Sequence, residues 1–343
     1  MDGKKKRNVY FDNLKVLLII LVVFGHVIEQ LRFSNGVLLG IYNFIYLFHM
    51  PLFIFCSGAF AKPDPVRGVK KYLIPYVIMQ FLFGLFDVYI CQEDGFHFLD
   101  SYYVLWYLLA LVVWSISIFL FKTKQQPQRK SKQTGILLLS IGIGLLAGYV
   151  DWIGKTFSLS RIFVFFPFFI LGYYCNREDY GKNIVNFIED FLHQEVHKNH
   201  RIILKIIAFL VLGGAFVLVM LLGNSINTWA LYGYTSYAFQ GYTVRFRLLQ
   251  YLAAVVLGLC VCLLVPEKKV IFPSLARNMM GLYLLHVPVI KLIEKTGVVE
   301  VLSCGSGCRA TLLELGYGVT VTAGMVGVWL AVLKISGKRF NHG

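Results

Sequence analysis

The chain has 343 residues, 57% hydrophobic and 15% charged, with a mean hydropathy of +0.67. That is too apolar for an ordinary soluble domain, and the seven cysteines are too scattered to form a disulfide framework. A net charge of +15 would suit nucleic acid, but the Lys and Arg residues gather at the termini, in alternate loops and at neighbouring helix ends. That bias is the positive-inside signature of a polytopic membrane protein, so no nucleic-acid partner is expected.

Stretches of about 20 apolar residues, enough for a helix to cross a bilayer, recur along the whole chain. The basic Lys4-Lys5-Lys6-Arg7 ahead of an apolar run resembles a signal peptide. The run continues through His26 and Glu29 with no small-residue cleavage site, so an uncleaved first span is expected. The predicted spans are 14–32, 38–61, 72–90, 103–121, 135–150, 159–176, 202–222, 243–265, 273–294 and 312–335. The expected fold is therefore all-α and polytopic, with about ten transmembrane helices in a single domain over 1–343 and no separate soluble domain. Both termini are expected in the cytoplasm, as are the loops at 62–71, 122–134, 177–201 and 266–272. The loops at 91–102 and 223–242 carry no Lys or Arg, which supports the same register. No internal repeat is visible, which weighs against inverted-repeat transporters.

The loops differ in kind. The 122–134 segment, with Gln125-Gln126-Pro127-Gln128, reads as a solvated linker. In 177–201, Ile184, Phe187, Ile188, Phe191 and Leu192 recur at helical spacing, as in an interfacial amphipathic helix. His193 and His197 in that segment are four residues apart, but no third strong ligand accompanies them, and no metal is expected. The outer 223–242 loop interleaves Trp229, Tyr232, Tyr234, Tyr237, Phe239 and Tyr242 with small polar residues. Such rings suit a membrane interface, and equally the apolar faces of a carbohydrate. Arg245 and Arg247 follow and suit a phosphate or carboxylate. Cys304 and Cys308, in a polar outer loop, either pair or remain thiols.

Three histidines lie inside apolar spans, where an ionisable side chain usually faces a bundle interior or a water-filled cavity. His26 is in the first span. His49 and His286 each stand just ahead of a proline, in Phe48-His49-Met50-Pro51-Leu52-Phe53 and Tyr283-Leu284-Leu285-His286-Val287-Pro288. At 1.5 Å per residue, His26 and His49 lie ~18 Å and His286 ~20 Å from the cytoplasmic ends of their spans. A common depth points to one polar cavity, in which a neutral imidazole would serve as a general base. Each histidine would separately be satisfied by a hydrogen bond to a neighbouring helix. Arg67, Lys70 and Lys71 obey the positive-inside rule on their own account, and beneath such a cavity they also resemble a phosphate cradle.

These residues carry a resemblance. Asp12-x-Leu14-Lys15 with His26 after ten intervening residues, Phe48 to Phe53 with Ser57-Gly58, and the basic loop ending Leu73-Ile74-Pro75-Tyr76 come first. Leu105-Trp106-Tyr107-Leu108, Arg161 leading to Phe166-Pro167-Phe168-Phe169 with Leu171-Gly172-Tyr173, and Tyr283 to His286 follow in order. Together they resemble the acyltransferase-3 family of integral-membrane O-acyltransferases, most closely its fucose 4-O-acetylase-like branch. The resemblance implies an acyl-CoA-dependent enzyme that moves an acetyl or other acyl group from cytoplasmic acetyl-CoA to a hydroxyl of a cell-surface or lipid-linked sugar. It maps the family's Arg/Lys-x10-His motif onto Lys15 and His26, with His26 as base or transient acyl carrier. His49 and Ser57 are then expected to orient His26 or to donate to the thioester oxyanion.

The family's Arg-x-x-Arg maps onto Arg67 and Lys70, with Lys71 beside them, as the CoA-phosphate site; Lys binds phosphate as a point charge and does not fork as Arg does. Lys15 would hold Asp12 or a CoA phosphate, whereas Asp12 or Asn13 would otherwise simply cap the first helix. In the ninth span the family's Gly-x-Asn-Ser/Thr reads Ala276-Arg277-Asn278-Met279, which loses a hydroxyl. Glu29, one turn beyond His26, would polarise it or face the acceptor. Trp106, Arg161, Trp229, Tyr232, Arg245 and His286 are the remaining acceptor-side candidates. Expected partners are a glycan or lipid-linked sugar and membrane lipids, with a homo-oligomer or glycan-assembly proteins left open. The expected location is a plasma membrane, bacterial if the resemblance holds. Two other functions fit the same features: a polysaccharide or lipid-linked-sugar exporter, and a non-catalytic membrane subunit of a glycan-assembly complex.

Overall fold

A computed structural model describes residues 9–93, 95–121, 130–154, 156–175, 198–266 and 272–340. Among these residues there is no β-strand, only an isolated bridge between Asp100 and Thr156. The ten main helices are α1 (Val9–Val27), α2 (Gly36–Ala59), α3 (Pro65–Cys91), α4 (Trp106–Phe121), α5 (Lys130–Leu146), α6 (Leu159–Cys175), α7 (Lys198–Leu222), α8 (Val244–Leu264), α9 (Met279–Glu294) and α10 (Gly307–Phe340). Each predicted span overlaps one of them, and the span at 273–294 is broken at Asn278 into a short helix, Pro273–Arg277, and α9. Seven are long and apolar enough to cross a membrane, and α4 and α6 are shorter apolar helices. The protein is an all-helical, polytopic membrane protein. Helices are what such sequences must form, because hydrocarbon offers backbone N–H and C=O groups no partner.

The chain divides into two compact units. The first comprises Met1–Ile45, Ala208–Gly223 and Leu259–Gly343. In it α1 packs on the short helix Pro273–Arg277, on α9 and on α10. The packed stripe of α1 is fully buried at Leu14, Leu18, Ile19 and Val23, at helical spacing. Asn13 does not cap α1. Its side-chain amide donates 2.8 Å to the Pro266 carbonyl and ties the start of α1 to the segment that follows α8. At the other contact Gly281 gives way to Trp329, whose indole N–H donates 3.0 Å to the Asn278 carbonyl.

The second unit comprises Tyr46–Ile207 and Asn224–Gly258. Here α6 packs on α4 and α5. Two glycines set its closest approach. A Cβ on Gly58 would lie 2.0 Å from the Phe169 carbonyl oxygen, and one on Gly172 would lie 2.0 Å from that of Phe55. The backbones of α2 and α6 touch at these two points, the small-residue packing that membrane helices use in place of a hydrophobic driving force. Trp114 of α4, fully buried, donates its indole N–H 3.0 Å to the Ile162 carbonyl of α6.

One expectation is corrected. Arg67, Lys70 and Lys71 do not lie in a loop before the third span. The helix begins at Pro65, and these cations occupy its first turns. The reason is local: Asp64 accepts 3.0 Å from the Arg67 backbone N–H as an N-cap, and Pro65 takes the first helical position, where no N–H is needed. The expected amphipathic helix within 177–201 with its histidines, most of the 122–134 linker and the basic part of 266–272 lie outside the described residues. All seven cysteines are free thiols, Cys304 and Cys308 included.

Candidate active site

The first unit brings two of the three intramembrane histidines together. The His26 and His286 ring centroids are 5.2 Å apart, with the planes at 44°. His26 stands in the last turn of α1. Its Nδ1 lies 3.0 Å from Glu29 Oε2, which the chain reaches at once because α1 ends at Val27 and the next residues turn. The imidazole is 24% exposed and the carboxylate 32%, so the pair is neither sealed in nor fully solvated. A carboxylate on Nδ1 fixes the imidazole's orientation and tautomer and stabilises the imidazolium, leaving Nε2 as the basic nitrogen. Glu29, one of the acceptor-side candidates, thus lies directly against His26. Arg32 and Tyr42 flank the same carboxylate.

His286 is fully buried on α9. Its Nδ1 lies 3.1 Å from the Leu282 carbonyl, one turn back. Because a carbonyl only accepts, that nitrogen carries the hydrogen and Nε2 presents a lone pair. Nε2 has no hydrogen-bond partner within the protein. A buried polar atom left so costs about 1–3 kcal/mol.

The second unit holds most of the remaining candidates, in two groups. At the start of α3 a cleft of about 560 Å³ is lined by Asp64, Val66, Arg67, Lys70 and Lys71, so three cations stand against one carboxylate. A narrower pocket of about 40 Å³ shares Arg67 and Lys71 and is lined also by Tyr72, Ser115, Phe169 and Ser57. It holds a few water-sized groups. Ser57 is not an isolated hydroxyl: it donates 3.2 Å to the Phe53 carbonyl and shares a short hydrogen bond with the Tyr107 hydroxyl. Tyr107 is buried; in the sequence it stands only as part of the Leu105-Trp106-Tyr107-Leu108 stretch.

The other group is aromatic. Arg161 lies over two rings, 5.0 Å from the Trp106 centroid and 4.7 Å from that of Tyr234, and its Nε donates 3.2 Å to the Tyr232 carbonyl. Tyr232 stacks on Tyr234 within 5° of parallel, and Trp229 meets Tyr232 edge-on at 5.6 Å. Tyr46 links Tyr232 at 5.4 Å to His49 at 4.6 Å, so the buried His49 belongs to this cluster. Four acceptor-side candidates therefore come together in this unit: Trp106, Arg161, Trp229 and Tyr232. Arg245 does not join them and is exposed. The guanidinium built into the loop is that of Arg247, fully buried, donating to the Ala230 carbonyl, to Gln250 and to the Tyr242 hydroxyl.

Lys15 is half-buried on α1. Asp87, Cys91 and Glu93 offer ligand atoms within 4.8 Å of one another, but the Tyr103 hydroxyl already donates to Asp87.

A helical membrane protein with an oriented imidazole inside one bundle and a cationic cleft at the head of a helix has the equipment for group transfer. The acyltransferase-3 family, described as an acyltransferase domain, matches residues 8–334. The chain belongs to that family. A stretch of 68 residues, 19% of this chain, is 42% identical to the nodulation protein NolL of Sinorhizobium fredii (strain NBRC 101917 / NGR234), and covers 19% of that protein's length. No solved structure matches the chain.

Proposed function

We propose that the protein takes an acetyl group from acetyl-CoA and transfers it to a hydroxyl of a cell-surface or lipid-linked sugar, in a plasma membrane with both termini cytoplasmic. The observation that carries the chemistry is the His26–Glu29 pair, 3.0 Å apart on one turn of chain. Polarised by the carboxylate, Nε2 of His26 is the base or nucleophile of the transfer. Arg67, Lys70 and Lys71 hold the donor's phosphates, where Arg67 forks and the lysines act as point charges. Ser57, hydrogen-bonded to Tyr107, lines the pocket that Arg67 and Lys71 share and suits the polar part of the pantetheine arm. The stacked rings around Arg161 take the sugar, with aromatic faces against its C–H faces and the guanidinium toward its polar edge. Lys15 supports the donor side.

The test of this reading uses the full chain in detergent or nanodiscs with radiolabelled acetyl-CoA and methyl glycosides of common hexoses and 6-deoxyhexoses. Transfer by the wild type is expected, and Arg67→Gln/Lys70→Gln should raise KM for acetyl-CoA with little change in kcat. An unchanged KM would remove the phosphate site. Absence of transfer to every glycoside, with glycan export lost in cells lacking the protein, would favour an exporter.

A further inference from the structure

We propose that His286 is the second base of this site: its Nε2 takes the proton of the acceptor hydroxyl while His26 Nε2 carries the acyl group. The inference rests on the acyltransferase reading above and goes beyond it in choosing between two routes and in giving His286 a chemical task.

The argument begins with the tautomers. The Leu282 carbonyl holds the hydrogen of His286 on Nδ1, and Glu29 does the same for His26. His286 then presents its Nε2 lone pair, which only a group bearing a hydrogen can satisfy. The rings stand 5.2 Å apart, and His286 Nε2 has no partner although the residue is fully buried. A buried polar atom without a partner is rare and calls for a ligand or a reaction role. The missing component is a group that carries a hydrogen. A hydroxyl oxygen about 3 Å from the acyl carbon on His26 and within roughly 2.6–3.2 Å of His286 Nε2 would supply that hydrogen.

The bonds balance as follows. His26 Nε2 attacks the thioester carbonyl carbon; an N–C bond forms, the C–S bond breaks, and the CoA thiolate leaves. The acylated Nε2 has no lone pair left, so His26 itself no longer serves as base. The acceptor oxygen then attacks the acyl carbon, and its proton passes to His286 Nε2. The C–N bond breaks, and its electron pair returns to His26. The proton on His286 is released through solvent to the thiolate, so thioester and alcohol become ester and thiol with no oxidant or further reactant. In a direct transfer His26 would be base enough, and the orphaned nitrogen of His286 would be a cost without a return.

The experiment separates the half-reactions in the purified full chain. Radiolabelled acetyl-CoA is added without acceptor, and covalent label is counted after a denaturing quench. Hydroxylamine, which needs no base to deacylate an acyl-imidazole, is then added, and transfer to the methyl-glycoside panel is measured separately. His286→Gln should take up label and yield acetohydroxamate as the wild type does, while transfer to glycoside falls by about 100-fold or more, the usual worth of a general base. In His286→Ala, added imidazole should restore transfer and leave labelling unchanged.

If His286→Gln or His286→Ala loses labelling and transfer together, His286 is structural and the proposal is overturned. Transfer by the wild type with neither covalent label nor exchange of labelled CoA into acetyl-CoA would overturn the carrier route and leave the acyltransferase reading intact. A wild type that neither labels nor transfers to any glycoside would overturn both.

Discussion

Replacing Glu29 by Gln tests how the carboxylate acts on His26. The substitution keeps the side chain's shape and removes its charge. At 3.0 Å the pair is a charge-assisted contact, and both partners are partly exposed, so solvent screens it. Hydrogen bonds to charged groups are worth about 1.5–3 kcal/mol, and the exposure argues for the lower half of that range. At 1.36 kcal/mol per decade of rate, kcat/KM should fall roughly 10- to 50-fold. Gln also presents an amide N–H that can donate to Nδ1 and turn the imidazole into the wrong tautomer, which pushes the loss upward. Glu29→Asp, shorter but charged, should lose less than Glu29→Gln. The assay is initial-rate acetyl transfer from labelled acetyl-CoA, with circular dichroism and size exclusion to show that each variant is folded. Equal activity of Glu29→Gln and wild type, or a greater loss in Glu29→Asp, would refute the view that the carboxylate acts electrostatically on His26.

Other outcomes follow from the same structure. Gly58→Val should lower the melting temperature in detergent, because the α2–α6 contact has no room for a Cβ; overpacking of this kind costs about 1–3 kcal/mol. It should also lower activity by displacing Ser57. Arg247→Met should destabilise the protein more than Arg245→Met does in a thermal melt, since only Arg247 is buried and bonded to the 230–242 loop. Trp229→Ala should leave the melting temperature within error and raise KM for the glycoside, because the ring is 41% exposed and lies beside the stacked tyrosines. Tyr107→Phe should leave KM for acetyl-CoA altered and KM for the glycoside unchanged if the Ser57–Tyr107 pair serves the donor.

The membrane fold was legible because apolar length and charge asymmetry are one-dimensional signals. Each predicted span overlaps a main helix, and the boundaries moved where local chemistry intervened. At Asp64-Pro65 a cap starts α3 several residues early and turns an expected loop of cations into helix. His26 and His286 stood out in the sequence by the cost of polar groups in a span, and Glu29 by its place one turn beyond His26. The partnership of His26 with His286 was suggested by depth alone and needed coordinates, because the two are far apart in sequence. Tyr107 entered only as part of a motif: a tyrosine at the head of an apolar helix is ordinary until Ser57 is seen on its hydroxyl. Arg245 and Arg247 looked alike in sequence, and only burial tells the structural guanidinium from the exposed one. Gly58 and Gly172 were quoted as parts of motifs, and their physical meaning is the contact between two backbones.

The central claim is that His26 is the reacting centre of a membrane acyltransferase. Membranes holding equal amounts of wild type and His26→Ala would be given radiolabelled acetyl-CoA and surface glycan, and label in the glycan counted over time. The account predicts steady incorporation by wild type and a loss of about 10³-fold or more in the variant, as for removal of a base or nucleophile. Equal incorporation by both proteins would contradict it.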